Sequence, residues 1–144
     1  MALLMATDSW GKVEECAKFI AQNGQVVWRT CGRNQQSLQE IREQLRIKPI
    51  NLYLFNKNLV KYHCRCIDIK RDSPRSEVIK DVPPTFRDEP TRYTLFFWFE
   101  KIVCVQDTHI HKFRKWRKPR ESFKRGLLGL QKAFDLPIPE LSAA

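Results

Sequence analysis

His63, Cys64 and Cys66, in the pentad "YHCRC", are the densest metal-competent set in the sequence, because imidazole and thiolate are the natural ligands of zinc. On a strand, residues two apart share a face, so Cys64 and Cys66 point one way and His63 the other, and no second ligand pair at metal spacing follows. A structural role is the expectation, and no metal site is assigned. His109 and His111 sit beside Lys112, Arg114, Lys115, Arg117 and Lys118 and read as part of a phosphate-contacting patch. No G-x-S-x-G, phosphate loop or dinucleotide fingerprint occurs. Asp68, Asp72, Asp81, Asp88 and Glu100 have no spacing that singles out an acid and base pair. No catalytic residue or cofactor is expected, and the chain reads as a non-enzyme, or as the specificity part of a larger nuclease assembly.

A second chemistry is better supported by composition. The chain has 26 Lys+Arg against 16 Asp+Glu, a formal net charge of +10 over 144 residues, and an excess of that size favours polyanions over acidic proteins or neutral metabolites. The run "HKFRKWRKPR" interleaves cations with Phe113 and Trp116, which suits phosphate neutralisation combined with ring packing. A solvated amphipathic helix with both rings in the core would have the same composition. In "QVVWRTCGRN", Trp28 closes a short apolar run just before a polar turn. A tryptophan there either packs or presents a π-face to a ligand.

The elements that must position these residues follow from periodicity. "ALLMAT" reads as a strand, and Asp8 and Ser9 supply helix-starting side chains ahead of "WGKVEECAKFIAQ", where Trp10, Val13, Cys16, Ala17 and Ile20 make an apolar face that stops at Asn23-Gly24. Val26 to Trp28 form a second strand, followed by a helix started at Asn34 with Leu38, Ile41 and Leu45 on its inner face. "INLYLF", the turn "NKN" and "LVKYHCRCIDI" read as a hairpin, with "RYTLFFWFEKIVCV" as its partner strand. Between them, about twenty residues with four prolines form a long loop, functional or disordered. Phe123, Leu127, Leu130 and Phe134 space as a C-terminal helix. One domain is expected over residues 1–136, with 137–144 as a tail or linker. Five cysteines without a dense framework read as reduced, buried thiols, and "MALLMATDSW" does not read as a signal peptide. A soluble, intracellular, cytoplasmic protein without a membrane partner is expected.

"KFIAQNGQVVWRTCGRNQQSLQEI" followed by "INLYLFNKNLVKYHCRCIDI" resembles the YTH and EVE domains of the PUA-like superfamily, over most of residues 2–105. The shared order is strand, helix, a strand ending in tryptophan and followed by Thr/Ser-type residues, an asparagine-started helix, a hairpin and an aromatic strand. The resemblance implies an α+β fold built on a small, strongly curved β-barrel of about six strands flanked by helices, with basic C-terminal helices as extras. YTH members hold a methylated adenine in an aromatic cage, which makes Trp28 one wall; those members take a second tryptophan from the loop after the hairpin, where this sequence has none and offers Phe86, with Tyr93 at the loop's end. Trp10 is a further candidate, although its spacing with Val13 and Ile20 favours core packing, and Trp98 reads as core. Asp8, Thr30 or Asp68 would bond the polar edge of a flipped base. Arg33, Lys112, Arg114, Lys115, Arg117, Lys118, Arg120, Lys124 and Arg125 would grip phosphates. The sequence is most similar to the modified-DNA-binding modules of McrB-type restriction systems, which implies DNA as ligand and an NTPase or nuclease partner. An RNA-binding PUA-like protein is the alternative.

Overall fold

A computed structural model describes residues 1–31, 38–89, 92–124 and 129–141. The expected helix start at Asn34, the cations Arg33 and Arg125, and Leu127 lie outside them. The described residues form an α+β fold in which eight strands make one mixed sheet, ordered β2-β5-β4-β3-β1-β8-β6-β7. β1 (Ala2–Ala6) and β3 (Ile50–Asn56) pair in parallel. Every other pairing is antiparallel, among β2 (Val26–Thr30), β4 (Leu59–Arg71), β5 (Leu95–His109), β6 (Arg114–Lys115), β7 (Lys118–Ser122) and β8 (Leu130–Ala133). The sheet is open, with β2 and β7 at its edges, so the strand count exceeds the expected six and hydrogen bonding does not close a ring. No helix among the described residues is long and apolar enough to cross a membrane.

Local chemistry accounts for the first half. α1 (Trp10–Asn23) begins at Ser9, whose Oγ accepts from the Lys12 amide at 3.3 Å, satisfying one of the donors a helix start leaves without a partner. It ends at Gly24, which takes the left-handed φ of 86° and donates its amide to Ile20, a conformation that glycine adopts without a Cβ clash. The β3–β4 turn places both Lys57 and Asn58 at positive φ, as a two-residue turn of the primed type requires. The long strands β4 and β5 keep pairing through register shifts near Tyr62, Cys66 and Asp68, where bulges let the ribbon bend.

Strand alternation then builds apolar contacts on both faces of the sheet. Leu3, Met5, Trp28, Leu52, Leu54, Cys64, Cys66, Phe97 and Phe99 meet Val13 and Cys16 of α1 and Ile41 of α2 (Gln39–Leu45) in one cluster. Leu4, Tyr53, Phe55, Val105, Phe113, Phe123 and Ala133 form a second. Val27, Phe96 and Trp98 form a third with Val78 and Val82 of the long loop. That loop is organised: it carries α3 (Arg75–Val78) and two 3-10 turns, Ile79–Asp81 and Pro84–Phe86. Buried Asp81 anchors it, accepting from Asn23 at 2.9 Å and from Gln25 and the Trp98 indole at 3.0 Å each.

Two expectations are corrected. Among the described residues the basic C-terminal region forms a 3-10 turn at Ile110–Lys112 and then β6, β7 and β8 in place of the expected helix, and Leu130, expected on its stripe, pairs with Met5 of β1. Arg117 turns the chain between β6 and β7 at φ 75°. Cysteine burial is split, with Cys16, Cys64 and Cys66 buried and Cys31 and Cys104 exposed. In the segment expected as a tail or linker, the described residues 137–141 run beside β5, where the Gln106 amide donates to the Pro139 carbonyl and the Leu141 amide to the Cys104 carbonyl, at 3.0 Å each.

Candidate functional site

The parallel strands β1 and β3 end together. Ala6 pairs with Phe55, and the Thr7 amide donates to the Phe55 carbonyl at 2.9 Å. Beyond these ends opens a cleft of about 630 Å³, walled by Asp8, Lys12 of α1, Trp28 and Thr30 of β2, the Asn56–Asn58 turn and Tyr93. The cap that fixes the first turn of α1 also fixes where Lys12 emerges, three residues after Ser9. Its ammonium lies 5.4 Å from the Trp28 ring centroid, 5.3 Å from Phe86 and 5.4 Å from Tyr93. All three distances are within cation–π range. The three rings expected as cage walls therefore surround one point, which the Lys12 ammonium occupies; Trp28 and Tyr93 line the cleft itself, and Phe86 does not.

A charged layer backs the rings. The Arg29 guanidinium lies 4.5 Å from the Tyr93 centroid and donates to the Phe86 carbonyl at 2.8 Å, which ties the long loop to β2. Glu89 is 3.6 Å from Arg29 and 3.9 Å from Lys12, and it accepts from the Tyr93 hydroxyl. Burial pushes the Tyr93 hydroxyl up to about 12, and its hydrogen bond to the Glu89 carboxylate adds to the rise. Trp28 is only 5 % exposed and packs in the first core cluster, so it is a floor shared with the core and not the open wall expected.

Other expected residues go elsewhere. Trp10 packs against Tyr62, with ring centroids 5.5 Å apart, and is not part of the cleft wall. Asp68 is also remote from it: it accepts from the Ile69 amide at 2.8 Å and borders a separate hollow with Lys70, Asp81 and Trp98. Asp8 and Thr30 do line the cleft. Of the expected phosphate contacts among the described residues, Lys112, Arg114, Lys115, Arg117, Lys118, Arg120 and Lys124, none lines it. Lys115, Arg117 and Lys118 instead border a second hollow of about 380 Å³ with Trp116 and Lys132. Lys115 pairs with Glu121 at 3.2 Å, and Arg117 bonds Glu40, holding that carboxyl below its usual range.

Lys12, Arg29, Lys57 and Glu89 were not legible as site residues. Each looks like an ordinary surface charge in sequence, and only contacts across the fold bring them together. At the zinc-like pentad, Cys64 and Cys66 face the core, and burial raises both thiols well above their ordinary value. His63 lies 2.7 Å from the Asn51 side-chain oxygen, and burial, with Lys101 adding, lowers its pKa. Comparison with protein-family models, curated proteins and solved structures returns no match.

Proposed function

We propose that this chain is a nucleic-acid-binding module that reads a methylated base flipped into the cleft at the ends of β1 and β3. The observation that carries the reading is the convergence of Trp28, Phe86 and Tyr93 on one point, within 5.3–5.4 Å of it. Base stacking on such rings contributes about 1–3 kcal/mol per base. Asp8 and Thr30 at the same cleft offer acceptors and a hydroxyl to the polar edge of the base. A single methyl contributes only about 0.8 kcal/mol by burial, so selectivity requires that polar edge as well.

DNA is the favoured polymer, with the chain acting as the specificity part of a modification-dependent restriction system and an NTPase or nuclease supplied by a partner. It performs no bond chemistry itself. The β6–β7 hairpin, carrying Arg114, Lys115, Lys118 and Arg120, supplies sequence-independent phosphate contacts. The order β1, α1, β2, α2, β3, β4, β5 supports assigning the sheet to the PUA-like, YTH/EVE type, as a curved barrel left open at one seam. Binding of methylated and plain duplex DNA, with matched RNA, at one salt concentration tests the reading. Preference for methylated DNA supports it; equal binding of methylated and plain DNA contradicts it, and preference for RNA transfers it to an RNA reader.

A further inference from the structure

We infer that the cage takes a cationic methylated base, one methylated at a ring nitrogen so that the ring itself carries positive charge. The inference rests on the base-reading function proposed above and deepens it. Three rings surround the Lys12 ammonium at 5.3–5.4 Å, and the Glu89 carboxylate lies 3.9 Å from it. Aromatic faces present negative potential, and a carboxylate behind them adds a full charge, so the point where they meet is built for a cation. Lys12 fills that role.

A base that stacks between these rings must displace the ammonium. A neutral base leaves the Trp28 and Phe86 faces without the cation they hold, while Tyr93 and Glu89 keep only Arg29, at 4.5 Å from the ring centroid and 3.6 Å from the carboxylate, and their own hydrogen bond. A cationic base replaces charge by charge. The displaced Lys12 side chain, 23 % exposed where it stands, has solvent to move into, and the phosphate of the extruded nucleotide is an anion within the same ligand for it to meet. Displacing Lys12 costs every base the same, so the discrimination lies in the rings and Glu89 behind it, and the displaced ammonium, a like charge nearby, works against a cationic ring.

The test compares three single-stranded DNA oligonucleotides, identical except at one adenine, which is plain, N6-methylated (neutral) or N1-methylated (cationic). The two methylated bases carry the same methyl group at different nitrogens, the cationic form holding one extra proton, and single strands remove any difference in base pairing. The cationic oligonucleotide carries one less net negative charge, so general electrostatics on a basic protein works against the expected result. At fixed salt the N1-methyl form should bind about tenfold more tightly than its N6-methyl isomer, or better. Glu89→Gln should narrow that gap, and Lys12→Met, which keeps the methylene packing, should widen it. The wild-type comparison alone decides. An N6-methyl form bound as tightly as the N1-methyl form, or more tightly, overturns the inference while leaving base reading in place. Two methylated forms bound no better than plain adenine overturn base reading itself.

Discussion

The Lys12 ammonium stands 5.4 Å from the centre of the Trp28 ring, and that ring is only 5 % exposed. Trp28 is therefore cleft floor and core residue at once, paired across β5 with Phe97. Trp28→Ala should cost about 3–5 kcal/mol, because it opens a cavity in the first cluster. Urea unfolding measures this; a loss under about 1 kcal/mol would place the ring outside the core. Phe86 and Tyr93 are half-buried, so their truncation tests the cage with less damage to the fold.

The β6–β7 hairpin should carry the salt dependence of binding. Each phosphate contact adds about 0.9 to the slope of log affinity against log salt, so Arg114→Ala with Lys115→Ala should lower the slope by about 1–2. Arg117, held by Glu40, should matter less than Arg114. Titrations at several salt concentrations check this, and an unchanged slope in the double variant would remove the hairpin from the interface.

Thiol chemistry should divide the cysteines two against three. Cys31 and Cys104 are exposed, whereas Cys16, Cys64 and Cys66 are buried, and burial raises the Cys16 thiol to about 12, which suppresses the reactive thiolate. A maleimide or disulfide reagent on native protein should modify two thiols quickly and the other three only after unfolding. Purified protein should contain no stoichiometric zinc; one equivalent whose removal unfolds the fold would overturn the structural role of Cys64 and Cys66.

His63 should make stability depend on acidity. Burial lowers its pKa from the ordinary 6.5, so the folded state binds a proton less readily than the unfolded chain. The resulting stability is present in full above pH 6.5 and falls as the pH drops through the lowered folded value. Chemical unfolding of the wild type should show this loss, and His63→Gln should reduce it. A variant with the same acid profile would assign the loss to other groups.

Much of the fold was readable because local signals and tertiary contacts agreed. Ser9 and Gly24 bound α1 as their types require, and "NKN" turned the hairpin. The C-terminal region misled because Phe123, Leu127, Leu130 and Phe134 keep a helical spacing, yet the backbone of Leu130 is claimed by β1. Trp28 was ambiguous for a related reason: Val26, Val27 and Trp28 are all apolar, so no alternation reveals which face the ring takes. Phe86 and Tyr93 were singled out by resemblance. Their partner Lys12 was not, since a lysine in the first turn of an amphipathic helix looks solvated until the loop that carries Phe86 and Glu89 is folded over it.

The most direct measurement of the central claim is the ratio of affinities for methylated and plain oligonucleotides, taken on the wild type and on Tyr93→Ala at one salt concentration, beside thermal melts of both. The expected result is a wild-type preference for a methylated base of about tenfold or more. In Tyr93→Ala that preference should vanish while affinity for plain DNA and the melting temperature stay close to wild type. A wild type indifferent to methylation, or a folded Tyr93→Ala that keeps the full preference, would contradict the cage.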